Sequence, residues 1–494
     1  MVPPTSLLLG TLAGVVGCHT HQISDPVKSS EITMPEKFNG QLEGVAEAVP
    51  ERWWEVFEDP ELTALMDRML SGSLSLKQGW ARLAQVEALA KQAGAANLPT
   101  LSVNGSASRS RNANPVLGSF TNNAYSISVA AAYEVDLWGR LDAQEKAATL
   151  DVKATRLDIE SIAMTLAAQV AETWYSLVEQ RAQLTLLKAQ LETNDTLLEL
   201  VEARFGQGLA SAVDVFQQRQ NVLNVKAQIP LIEAQVKLLE HALSLLVGEA
   251  PGSKALGTRG ELPEGLPPVP EIGVPADLIT RRPDIRSAHL RVKATDHRVG
   301  AAIASRFPSL RLNPSTGFTA FSVAELLDNW IYSLVASVGA TVFDGGRINA
   351  EVERQRAALQ EQVANLATAM LTALREIEDA LIREEKQTAY LTEVVAQNEV
   401  AQQLLEETQA RYTEGLSDFL PVLSAVQALQ RAEATRLSAR RQLISNRIQL
   451  YRALGGTWAQ SLKAPKSQPA KSTGNAPKTQ QSEAQQPKPS RQEG

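Results

Sequence analysis

The chain has 494 residues, more than one hydrophobic core usually organises, so several domains or one long repetitive architecture is expected. A net charge of -7 and a pI near 5.5 count against a nucleic-acid-binding surface. Five His and a single Cys cannot build a His/Cys metal cluster or an intrachain disulfide, and 5% aromatic content favours long Ala/Leu/Gln/Glu helices over an all-β protein.

The first feature along the chain is the apolar run Leu7–Val16, followed by Gly17 and Cys18. It is too short to span a bilayer and has the length of a signal-peptide core. Val15-Val16-Gly17-Cys18 resembles a bacterial lipobox, which makes 1–17 a signal peptide and 18–50 an arm beginning at a lipidated Cys18. The leader Met1–Ser6 lacks the usual Lys or Arg. After Cys18 no apolar run is long enough for a transmembrane helix.

From residue 51 to 460 the chain reads as two repeats, 51–260 and 261–460. Asp136-Leu-Trp-Gly139-Arg140 recurs as Asp344-Gly-Gly346-Arg347, and Arg204-Phe205-x-x-Gly208-Leu209 recurs as Arg411-Tyr412-x-x-Gly415-Leu416. Arg140 and Arg347 are 207 positions apart, as are Arg204 and Arg411. Each repeat opens with alternating segments suited to strands: 101–108 and 125–136, then 310–318 and 330–343. Polar loops are expected at 112–123 and 322–329. Phe120, Tyr125, Phe321, Trp330 and Tyr332 lie near those loops, where an aromatic girdle would sit. Alternation alone fits a soluble hairpin per repeat as well as a membrane one. Four strands cannot close a transmembrane barrel, so membrane strands would need several chains, and three would supply twelve.

After the strands, apolar residues step by three and four from Ile159 to Phe205 and from Leu359 to Tyr412. That is coiled-coil-like periodicity, without Pro or Gly, over rods of roughly 95 Å. Tight turns should reverse each rod, with return helices over about 213–246 and 419–454. Pro230 should kink or break the first return. Arg282-Pro283-Asp284 reads as a helix start, with Pro in the first turn and a carboxylate near the positive end. The tail 461–494, rich in Pro, Lys, Gln and Ser, is too polar to bury a core and is expected to be disordered.

These landmarks, with the run 278–288, Phe307-Pro308-Ser309-Leu310 and Leu450-Tyr451-Arg-Ala-Leu454-Gly455-Gly456, resemble the TolC-like outer-membrane efflux channel family. The resemblance is to its lipoprotein branch, which serves resistance–nodulation–division pumps. It implies a mixed, mainly α fold and a homotrimer sharing a 12-stranded outer-membrane β-barrel above a periplasmic helical tunnel. The implied partners are a periplasmic adaptor and an inner-membrane pump; no cofactor and no enzymatic activity are implied. The tips Arg204, Phe205, Gly208, Leu209, Arg411, Tyr412 and Gly415 are candidates for adaptor docking. Leu416 and Leu420 match the family's apolar constriction, and Ser424 stands where the family carries Asp. Gln427 takes the place of that Asp's Arg partner. Asp214 and Asp418 are nearby carboxylates for an ion- or pH-sensitive entrance. Arg282, Pro283, Asp284, Asp136, Gly139, Arg140, Asp344, Gly346 and Arg347 are read as structural. Rival readings are a periplasmic adaptor and a poreless coiled-coil scaffold lipoprotein. No nucleophile-elbow, phosphate-loop or zinc-protease motif supports an enzyme.

Overall fold

The computed structural model describes residues 21, 25–26, 32, 34–39, 52–114, 118–254, 256–267, 269–270 and 272–464. The signal peptide, Cys18 and most of the tail lie outside them. Two short helices come first, α1 (Pro60–Gly72) and α2 (Leu74–Ala95). Strands β1 (Thr100–Asn114) and β2 (Gly118–Val135) lead into the long hairpin of α3 (Arg140–Gly206) and α4 (Ala212–Val247). A single helical turn at Leu278–Arg281 precedes α5 (Pro283–Ala304), then β3 (Ser309–Ala320) and β4 (Trp330–Gly339). A second long hairpin, α6 (Arg347–Thr413) and α7 (Phe419–Leu454), completes the fold.

The two hairpins have the same dimensions. Outgoing helices α3 and α6 are each 67 residues and return helices α4 and α7 each 36. At 1.5 Å per residue the outgoing helices are about 100 Å long. Aspartates start them. Asp136 Oδ2 accepts the Asp142 N–H at 2.9 Å, and Asp344 accepts the N–H groups of Gly346 and Ile348, each at 3.0 Å. Gly139 and Gly346 sit at φ 70° and 87°, where the chain turns from strand into helix.

Pro230 does not break α4, which runs through it without interruption. Its flank is exposed, so solvent takes up the carbonyl left without a donor. The strands also depart from expectation. β1 reaches Asn114 and β2 starts at Gly118, so much of the expected polar loop 112–123 is paired ladder, as in Asn112 opposite Phe120. The loop between β3 and β4 is as expected.

The apolar core lies where the short helices meet the long ones. Trp53 stacks on Tyr451 with centroids 5.6 Å apart, and Trp54 meets Trp458 edge-on at 5.0 Å. Buried Asp59 caps α1 through the N–H groups of Glu61 and Leu62 and accepts the Trp174 indole N–H at 2.9 Å. Between α3 and α4 lies a buried polar layer: Gln218 donates to the Asn194 carbonyl at 2.8 Å and Asn221 to its side-chain oxygen at 2.5 Å. Such a layer within a coiled-coil seam fixes register. The arm is held too. His21 pairs with buried Asp296 on α5, and Phe38 joins the cluster of Leu278, Ile285 and Ile377.

At the end of α4, Gly248 has φ 79° and a Cβ there would stand 2.3 Å from the Gly72 carbonyl oxygen. Gly208 has the same φ but faces open space. Both Gly→Ala changes should cost about 1–2 kcal/mol for the left-handed backbone. Gly248→Ala should cost clearly more, because two backbones must part. Thermal scans of helical circular dichroism check this ranking; equal midpoints for the two variants would refute the close approach.

Candidate functional site: the two-faced sheet and the hairpin tips

The four strands form one antiparallel sheet in the order β1-β2-β3-β4. Residues opposite one another in an antiparallel ladder point to the same side. Val103 faces Val129, Ile127 faces Phe318, and Leu310 faces Val338. Extended along each strand, this register gathers Leu101 and Val103, then Tyr125, Ile127, Val129 and Val135, then Leu310, Leu312 and Phe318, then Trp330, Tyr332, Leu334 and Val338 on one face. The other face carries Ser102, Asn104, Ser106 and Ser108, with Ser126, Ser128, Asn313 and Ser315 beside them; its apolar exceptions include Ile331 and Val335. Much of the apolar face is bare, and every residue of β4 is exposed. Among the described residues β1 and β4 pair on one side only.

Both tips are built by the same backbone device. Leu209 N–H donates to the Arg204 carbonyl at 2.8 Å with Gly208 at φ 79°, and Leu416 N–H donates to the Arg411 carbonyl at 2.8 Å with Gly415 at φ 77°. This is a glycine-terminated helix cap, so the turn alone accounts for both glycines. Ser211 and Asp214 form a capping box at the start of α4, which ties up the Asp214 carboxylate. Asp418 caps α7 without a side-chain hydrogen bond and is exposed.

Two tip residues are placed differently from the docking expectation. Tyr412 is buried, packed on Phe419 with centroids 5.5 Å apart, so its ring fills the tip core instead of facing a partner. Arg204 reaches across to the second hairpin, its guanidinium 4.5 Å from the Tyr412 ring and Nη1 3.3 Å from the Thr413 carbonyl. Phe205, Leu209, Arg411 and Gly415 are exposed, as are Leu416, Leu420 and Ser424. Val213 and Phe216, which the sequence did not single out, add to the exposed apolar surface beside Phe205.

The outward faces of the return helices differ. On α7, Leu420, Ser424, Gln427 and Arg431 recur every three or four residues, Ser438 follows two turns on, and all are exposed; all but the first are polar. On α4 the exposed side chains Leu223, Leu231, Leu238 and Leu245 are apolar. A polar stripe suits water, and a leucine stripe suits another protein surface.

The Arg282 motif works as a clamp. Its guanidinium donates to both Asp284 oxygens at 3.1 and 2.7 Å, to Glu376 on α6 at 2.7 Å, and to the Ala453 carbonyl at the end of α7 at 3.1 Å. Burial opposes its charge, yet the Asp284 and Glu376 carboxylates outweigh that and raise its pKa. Pro283 occupies the first turn of α5. At the strand–helix junction Arg140 pairs with Glu134 at 2.6 Å, and Trp138 donates to the Pro308 carbonyl at 2.7 Å. Arg347 is exposed and has no ion-pair partner among the described residues. No described helix is long and apolar enough to cross a membrane, and no described group of His, Cys, Asp and Glu is arranged to hold a metal.

The family model described as "Outer membrane efflux protein" matches residues 65–249 and 274–456. The chain belongs to the outer membrane efflux protein family. It is 30% identical over 439 residues to the pyoverdine export outer membrane protein OpmQ of Pseudomonas putida, covering 86% of this chain and 93% of that one. It is 29% identical to the toluene efflux pump outer membrane protein TtgI of the same species, covering 85% and 90%. The outer-membrane channel OprN superposes with a TM-score of 0.80 at 25% identity, over 87% of this chain and 98% of OprN. As an outer membrane efflux protein the chain is a passive conduit and not an enzyme. Its apolar sheet face and polar opposite face are the two surfaces such a conduit needs.

Removing the Arg282 side chain leaves two carboxylates and the end of α7 without their shared donor. Arg282→Ala should therefore destabilise the fold by about 1–3 kcal/mol, as losing hydrogen bonds to charged groups does. A chemical-denaturation midpoint within error of the wild type would contradict the clamp.

Proposed function

We propose that three copies of this chain form one outer-membrane duct, each supplying four strands to a shared 12-stranded barrel and two hairpins to a periplasmic tunnel. The observation that carries this reading is the sheet: one bare apolar face, one polar face and two open edges. Strand edges are not tolerated in hydrocarbon, and four strands are too few to close alone. Between Val135 and Tyr125, eleven residues of β2 lie in the apolar band, which at the usual strand tilt gives a height of about 25 Å. Tyr125, Trp330 and Tyr332 mark its loop-side rim. The leucine stripe of α4 then lies between copies, and the polar stripe of α7 lines the duct.

Cys18 carries the lipid in this reading. His21 pairs with Asp296 on α5, and β3 starts at Ser309. The repeats 51–260 and 261–460 each supply one hairpin and one strand pair. Phe205, Leu209 and Arg411 are presented for a periplasmic adaptor, whose inner-membrane partner is a resistance–nodulation–division pump. Leu416 and Leu420 narrow the entrance, and Asp418 adds a carboxylate to each copy there. Relatives named for pyoverdine and for toluene are similarly distant from this chain, which fits a duct that leaves cargo choice to its pump.

Planar-bilayer recording and a drug-susceptibility assay test the two ends of the proposal. Leu420→Gly should raise single-channel conductance several-fold, whereas Leu209→Glu should leave conductance unchanged and abolish resistance. Absence of ion-conducting openings in the glycine variant would remove the duct. Full resistance in the glutamate variant would remove the docking role.

A further inference from the structure

Beyond the aromatic rim the apolar side of the sheet changes character. The ladder sets Ala107 opposite Tyr125, so Arg109 and Arg111 lie two and four residues further toward the β1–β2 turn. They share the odd positions of β1 with Leu101 and Val103, and therefore the same side of the sheet. From 100 to 133 they are the only charged residues, so their charge is not balanced along the strand pair. Both are exposed, and neither has an ion-pair partner among the described residues. Arg111 Nη2 donates to the Ser119 hydroxyl at 3.0 Å, which leaves most of its donors free. At the base of the sheet the arrangement is the opposite: Glu134 pairs there with both Arg140 and Arg311.

Height decides what these arginines meet. At about 3.4 Å per residue and a strand tilt of about 40°, they stand about 5 and 10 Å above Tyr125. A headgroup layer is about 5–7 Å thick. Arg109 falls inside it, and the long side chain of Arg111 reaches back to it from just outside. Alternate positions on a strand are about 7 Å apart, so the two guanidinium groups can grip one phosphate or two neighbouring ones. A planar fork of donors fits phosphate oxygens in pairs. Charge on an edge strand also deters unwanted pairing. That use would suit any height on β1, yet 101–107 carries no charge and the arginines begin past the rim.

We infer that Arg109 and Arg111 bind the phosphate groups of the glycolipid in the outer leaflet, so that each copy holds lipid at the mouth of the duct. This rests on the proposed barrel, whose apolar face is turned to the membrane. The acyl chains of the same lipid then lie along Val103, Ile127 and Val129 below. The second strand pair offers no such site: its connection carries Glu325 and Asp328, both exposed and acidic. Lipid contact is therefore confined to the first pair, and the loop over the second repels phosphate.

The test titrates full-length protein in a neutral detergent with fluorescent lipid A, followed by anisotropy. Arg109→Gln combined with Arg111→Gln should weaken binding by about tenfold or more, because two charge-assisted contacts are lost. Lipid A stripped of its phosphates should bind wild type and variant equally weakly. Excess inorganic phosphate should leave the wild-type complex in place. Equal affinity of the two proteins for phosphorylated lipid A would overturn the site, and displacement by inorganic phosphate would reduce it to a free-anion contact. Light scattering of the same samples separates this inference from the reading beneath it. Three copies without phosphate-dependent binding strike the lipid site and leave the duct; one copy in the wild type strikes both. If only the variant falls apart into single chains, the arginines join copies through Glu325 or Asp328 of a neighbour, and the lipid assignment is wrong.

Discussion

An antiparallel sheet with a bare apolar face and two unpaired edges is a structure that cannot stand alone in a bilayer. Hydrocarbon offers no partner to the free N–H and C=O groups of β1 and β4, and each one left unpaired costs several kcal/mol. Closure is therefore a condition of insertion. With four strands per chain, the proposed duct closes through several chains, and the rest of the architecture can be understood from that condition. In the proposed duct the apolar face matches the membrane thickness and the polar face the lining, while the strand–helix junctions set where the long helices begin.

Those junctions explain the structural motifs. Asp136 and Asp344 satisfy the first N–H groups of helices that must start at a fixed height below the sheet, and Gly139 and Gly346 turn the backbone there. Equal helix lengths in both hairpins bring four helix ends per chain to the same level, where matching glycine caps turn them. The Arg282 clamp binds the start of α5 to α6 and to the end of α7, joining the second hairpin to the short helix that precedes its strands. The buried cluster of Ile285, Ile377 and Leu454 joins the same elements beside it.

Much of this was legible in the residues because it is periodic. The 207-residue spacing of Arg140 with Arg347 and of Arg204 with Arg411 gave the hairpins, and the alternation from Tyr125 to Val135 gave the apolar face. What stayed hidden depends on contacts distant in sequence. The residues 112–123 looked like a loop because Ser, Asn and Thr alternate with no apolar period, yet the ladder holds 112–114 and 118–123 as strand. Tyr412 looked like a docking residue from its motif, but burial depends on Arg204 and Phe419. Nothing local to His21 announces Asp296, 275 residues away. Pro230 was expected to kink or break the first return helix, and α4 runs through it without a break. Val213 and Phe216 had a readable signal: they are apolar in the first turn of a return helix, beside Phe205 in the repeat. Arg282 was recognised as structural from Pro283 and Asp284, whereas Glu376 and the Ala453 carbonyl come only from the fold.

The central claim is that the sheet is completed by other copies, and the mass of the full-length protein extracted in mild detergent tests it most directly. Light scattering corrected for bound detergent should give three times the 53.5 kDa of one chain. A particle carrying one chain would contradict the account, because its open strand edges would then have no partner.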